Sequence, residues 1–85
     1  MRVVYKYKIH KFNHQLAIPV GAKFLHAEYV QNDFCVWYEV ETSNKEVILD
    51  LIILLTGQEF PEGLFRHIAT VFEGRLVWHL YQRQS

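Results

Sequence analysis

His67-Ile-Ala-Thr-Val-Phe-Glu-Gly-Arg-Leu-Val-Trp-His-Leu-Tyr81 is the stretch whose reading decides the fold. It reads as two β-strands, His67–Phe72 and Arg75–Tyr81, closed over Glu73-Gly74, where glycine can take the positive φ a tight reversal needs. The second strand is rich in β-branched and aromatic residues, which suit a pleated, half-buried surface. Its alternation puts Leu76, Trp78 and Leu80 on one face, read as core. Arg75, Val77, His79 and Tyr81 fall on the other.

Working outward, Thr56–Arg66 is the longest irregular stretch, with Gly57, Pro61 and Gly63 inside it. Pro61 is suited to open one helical turn through Phe65. Loops of this length carried by a sheet are common places for binding residues. Before it, Val47–Leu55 is an apolar run interrupted by Asp50. Ser43 followed by Glu46 could be a capping box and Gly57 a helix C-terminal residue. The run has no amphipathic stripe, however, and is rich in β-branched residues, so it reads as a strand. A helix over 44–55 is the alternative, and would make the fold α+β.

Further upstream, Lys23–Val30 and Phe34–Thr42 read as a hairpin around Gln31-Asn32-Asp33. Leu25, Ala27 and Tyr29 should share a face opposite Phe24, His26 and Glu28. Phe34, Val36, Tyr38 and Val40 should share one opposite Cys35, Trp37, Glu39 and Glu41. Both faces are apolar in their first halves, so both should be covered, by another sheet or another subunit. Pro19-Val20-Gly21 is a turn, and Gln15–Ile18 a short extended piece before it. At the start, Val3, Tyr5, Tyr7 and Ile9 alternate with polar residues in a half-buried strand whose lysines protect an edge. The expected fold is therefore a single all-β domain, an antiparallel meander of five or six strands, open-barrel or sandwich-like, with a short helical turn near 61–66.

The chain has 85 residues, two Trp, five Tyr, six Phe and a formal net charge of zero. A core that small is marginal, so association would help. Neutrality argues against a general nucleic-acid binder. The zero hides an order: Arg2, Lys6, Lys8, Lys11 and Lys23 come before any acid, and eight acids between Glu28 and Glu62 face Lys45 alone. One cysteine, Cys35, allows no internal disulfide and suits a reducing compartment. The start lacks the apolar core of a signal peptide and the longest apolar run is too short to span a bilayer, so a soluble, intracellular protein is expected, without membrane partners.

Chemistry is sparse. His10 and His14 have a spacing that serves a metal only on a helix, and Cys35 has no neighbour of ligand type, so no metal site is expected. Cys35 lies in an apolar strand, where a thiol behaves as a small hydrophobe. Ser43 and Ser85 lack an elbow or a histidine partner. Asp50 reads as either a buried carboxylate or, more simply, a paired one. No acid, base and nucleophile assemble, so neither an enzyme nor a cofactor is expected. Phosphate loops are missing too. What remains is a binding surface. Trp37 or Tyr38 would stack on a flat ligand, Arg66 or Arg75 would meet phosphate, and Thr56, Gly57 and His79 would supply polar contacts.

The order Pro19-x-Gly21-Ala22, Trp37, Thr56-Gly57 with Pro61 four residues on, Ile68-Ala-Thr-Val71 and Leu76-Val-Trp-His-Leu80 resembles a family of short bacteriophage proteins, over nearly the whole chain. Leu55 and Ala69 depart from that family's usual residues. The resemblance implies an accessory protein acting in the host bacterial cytoplasm. By analogy with such proteins, it would counter host defence as a homo-oligomer that sequesters a nucleotide-derived signal, a cyclic nucleotide or an ADP-ribose species. Alternatives are an inhibitor that covers a host defence protein, or a small structural or assembly component.

Overall fold

A computed structural model describes residues 1–10 and 12–84. Lys11, counted above with the basic N-terminal strand, and Ser85 lie outside the described residues. Seven strands follow one another: β1 (Arg2–Ile9), β2 (Phe12–Pro19), β3 (Lys23–Val30), β4 (Asp33–Glu41), β5 (Glu46–Leu55), β6 (Leu64–Glu73) and β7 (Leu76–Gln84). They form two antiparallel sheets, ordered β1-β4-β3 and β2-β5-β7-β6, which are not closed into a barrel. The all-β, sandwich-like expectation holds. The strand count rises to seven because the whole of Phe12–Pro19, and not only its second half, pairs with β5. There is no helix among the described residues.

The alternation seen in the sequence builds the core directly. Phe34, Val36, Tyr38 and Val40 turn inward from β4 and pack on Leu51 and Ile53 of β5 and Trp78 and Leu80 of β7. Leu51, Ile53 and Leu80 are 0 % exposed. Each such side chain contributes about 1.5–3 kcal/mol through removal from water. Leu76, read as continuing the Trp78–Leu80 face, sits beside the turn and stays exposed.

The β5 run is a strand flanked on both sides, by β2 and by β7, which disposes of the helical alternative. In its second half both faces are apolar because both are covered, while Ile48 on the outer face of the first half stays exposed. Leu51 and Ile53 meet the opposite sheet, while Ile52 and Leu54, 1 % and 5 % exposed, lie on the outer face beside the 56–63 loop. Phe60 from that loop stands edge-on to Tyr81 at 4.8 Å. Asp50 takes its simpler reading, a pair with Arg83 Nε at 3.2 Å.

One turn is tighter than expected and another is shifted by one residue. Gln31 (φ 49°) and Asn32 (φ 69°) form a two-residue reversal with both central residues left-handed, which frees Asp33 to start β4. In the last hairpin Glu73 still pairs with Leu76, so the turn is Gly74-Arg75, with glycine (φ 58°) first. The helical turn expected near 61–66 is replaced by extended chain. Leu64, Phe65 and Arg66 already pair with Gln84, Arg83 and Gln82, and Gly63 bends the chain into that pairing at φ 131°.

Two bulges reset the side-chain phase. In β3 the pairing jumps from Phe24↔Tyr38 to His26↔Trp37. Leu25 is the unpaired residue; it stays exposed while Phe24 turns inward, the reverse of strict alternation. In β6 the jump falls between His67 and Ala69, and Ile68 joins Ala69 against the core.

Arg83 anchors the far end of the 56–63 loop. Arg83 donates to Asp50 and, through Nη1, to the Glu62 carbonyl at 2.8 Å, and its guanidinium lies 4.7 Å from the Phe65 ring centroid. A Cβ on Gly63 would run into that guanidinium, whereas one on Gly57 (φ 92°) would meet nothing within 4 Å. Gly63→Ala should therefore cost about 1–3 kcal/mol and exceed Gly57→Ala, which carries backbone strain alone. Thermal or urea unfolding of the two variants checks this order; equal losses would contradict it.

Candidate functional site

The sheets part at one end and leave a cleft of about 420 Å³ between them. Its walls come from Ile18, Val47 and Leu49 of the larger sheet and Phe24 and Tyr38 of the smaller one. Arg66, Ile68 and Gln82 close the β6–β7 side, and Val20-Gly21-Ala22 passes along the lining. The bulge at Leu25 turns Phe24 into this space, and its ring stands edge-on to Tyr38 at 5.5 Å.

Among the described residues, Arg66 is the only formally charged one in the lining. It donates to Gln82 Oε1 at 3.3 Å and, among the described residues, makes no ion pair. Burial raises the Tyr38 hydroxyl pKa above its ordinary value, and the Arg66 guanidinium pulls it partly back. The cleft thus offers apolar walls, two aromatic edges and one cation. A cavity of this size falls within the range of small-ligand sites.

On the outer face of the larger sheet, next to a depression of about 350 Å³ between Phe12 and Phe60, lies a smaller one of about 160 Å³ lined by Leu54–Gln58, Phe60, His79 and Tyr81. Here Thr56, Gly57 and Gln58 come near His79, a proximity the sequence left open. The Thr56 hydroxyl donates to the Val77 carbonyl at 3.3 Å and sits 2.8 Å from His79 Nε2. With its proton on the Val77 carbonyl, the hydroxyl accepts from His79 Nε2–H. His79 Nδ1 then accepts from the Thr70 hydroxyl at 3.3 Å, which in turn accepts from His67 Nε2–H at 2.9 Å. This chain reaches the cleft, because His67 also belongs to the cleft lining.

The residues singled out in the sequence therefore separate into two groups and two outliers. Tyr38 and Arg66 meet in the cleft; Thr56, Gly57 and His79 meet in the outer depression. Trp37 is on the outer face of the smaller sheet, opposite Lys6 and His26, with the His26 ring at 5.5 Å. Arg75 sits in the β6–β7 turn, in neither lining. Sequence reasoning missed Phe24, Ile68 and Gln82: the two bulges that orient the first two leave no mark in an alternating pattern.

The charge order along the chain also folds away. Basic β1 pairs with acidic β4, giving Arg2–Glu39 at 3.6 Å and Lys8–Asp33 at 3.5 Å, so the outer face of the smaller sheet mixes both signs. His10 and His14, dismissed for their spacing, are brought to 5.3 Å between rings by the β1–β2 reversal. Burial, then the charge of His10, lowers the His14 pKa. Among the described residues no group of three or more metal-ligating side chains forms, and Cys35 is buried.

A family model, "Domain of unknown function (DUF7352)", matches residues 1–85. The chain belongs to this family. No curated protein and no solved structure matches it. No helix of this DUF7352 chain is long and apolar enough to cross a membrane.

The hydroxyl chain fixes a tautomer. In neutral protein His79 should carry its proton on Nε2 and leave Nδ1 bare, and Thr56→Val, which removes the acceptor facing Nε2, should release that preference. Imidazole 15N shifts read this directly; an Nδ1-protonated His79 would contradict the assignment.

Proposed function

We propose that this chain is a non-catalytic binding module that holds a nucleotide-derived molecule in the inter-sheet cleft. One observation carries the reading: a cleft with apolar walls whose lining has a single formal charge, an arginine without a carboxylate partner among the described residues. A nucleotide combines a flat, weakly polar base with an anionic phosphate. Phe24, Tyr38 and Ile68 suit the first, and Arg66 suits the second, as a planar guanidinium that can meet two phosphate oxygens at once. The Gln82 side-chain amide offers a hydrogen bond for a ribose or a base edge.

The volume is near the lower end for ligand sites, which favours a mononucleotide or one half of a larger signal. In the setting the bacteriophage resemblance implies, that signal is a cyclic nucleotide or an ADP-ribose species, and the protein withholds it from a host receptor by binding alone. Trp37 and Arg75, first assigned to stacking and phosphate, have no part in this site.

Titration calorimetry against a panel of mononucleotides, cyclic nucleotides and ADP-ribose tests the proposal. At least one should bind, and Arg66→Ala should weaken it about tenfold or more, the scale of a lost charge-assisted hydrogen bond. Arg75→Ala should leave affinity unchanged. Retention of full affinity by Arg66→Ala would overturn the cleft assignment.

A further inference from the structure

Two sheets give four edge strands, and three of them are defended. β3 and β6 lie against each other along one side of the sandwich, and each carries a bulge. β1 presents Arg2, Lys6 and Lys8, a run of like charge that resists addition of a further strand. β2 has none of these devices. Phe12–Pro19 holds no Lys, Arg, Asp or Glu, and its register with β5 runs unbroken through all eight residues. It lies at the margin of its sheet farthest from β6. Its core-facing Leu16 and Ile18 are buried, while Asn13, Gln15 and Ala17 on the other face are exposed and small or neutral. Such an edge leaves backbone donors and acceptors unpaired and carries no charge to repel a strand like itself.

We infer that β2 is a self-association edge, where a second copy of this chain adds its own β2 antiparallel, about a two-fold axis, to make one continuous eight-stranded sheet. The strand fits a twin better than a foreign partner because neutrality is complementary to itself: no like charges meet at any register. The register follows from symmetry. In an antiparallel pair, opposed residues alternate between both pointing their N–H and C=O across the gap and both pointing away, so a two-fold must relate a residue to its own copy and cannot pass between two neighbours. Centring on Leu16 would spend a position on Pro19, which has no N–H to donate. Centring on Gln15 pairs Phe12 through Ile18, sets Gln15 opposite Gln15 of the partner subunit, and sets Asn13 opposite the partner's Ala17. This inference does not rest on the cleft, because neither Gln15 nor Ala17 lines it.

Native mass spectrometry and light scattering across a concentration series test it. The parent should give a species of twice 10.2 kDa. Gln15→Lys should shift it to monomer, since two ammonium groups then meet on the axis, and so should Gln15→Glu. Mixing the two variants should restore a dimer containing one of each. Gln15→Cys should form a disulfide-linked dimer under mild oxidation, since opposed residues lie about 4.5–5.5 Å apart between Cα atoms, while Val4→Cys on β1 should not. A parent that stays monomeric at every concentration overturns the inference. So does a dimer that survives Gln15→Lys, or one that Gln15→Cys fails to trap, since either places the contact elsewhere. Nucleotide binding measured on the same Gln15 variants should be unchanged, which separates this result from the fate of the cleft.

Discussion

The contact between the inward face of β4 and the inward faces of β5 and β7 is what everything else in this molecule depends on. Val36, Tyr38 and Val40 on one side and Leu51, Ile53 and Leu80 on the other are nearly or fully removed from water. Neither sheet could bury its apolar face alone, and a chain of this length has no second core to fall back on. Each strand's alternation is meaningful only because the opposite sheet is there to receive it.

That contact also explains where the cleft is. Close packing holds at the middle of the sandwich, around Leu51, Ile53 and Leu80. At the end where Phe24, Tyr38 and Arg66 meet, the bulges in β3 and β6 swing both edges out of regular pairing. A bulge increases local twist and bends the strand that carries it, so two bulges facing each other across the gap leave a concavity that regular strands would close. The opposite device secures the outer face. Arg83 ties Asp50, Phe65 and the Glu62 carbonyl together, and the 56–63 loop lies beside Ile52 and Leu54 as a result.

Much of this was legible in the amino-acid order. The inward set on β4, the core role of Trp78 and the pairing of Asp50 follow from alternation and composition. Phe24 was assigned to the wrong face because a bulge shifts the phase without changing residue type. The helical turn at Pro61 was wrong because local preference there loses to the pairing of Leu64–Arg66 with Gln82–Gln84. Trp37 drew attention as a large aromatic ring, yet its position opposite Lys6 and His26 comes from pairing partners far away in sequence. The apparent split into a basic and an acidic half vanished for the same reason: β1 and β4 are distant in the chain and neighbours in the sheet.

The central claim, that the diverging end of the sandwich is the binding site, is tested most directly by following backbone amide NMR signals while mononucleotides and cyclic nucleotides are added. Saturable shifts should concentrate at Ala22, Phe24, Ile68 and Gln82, with the Arg66 side chain among them. Shifts centred on Trp37 and His26, or none with any member of the panel, would contradict it.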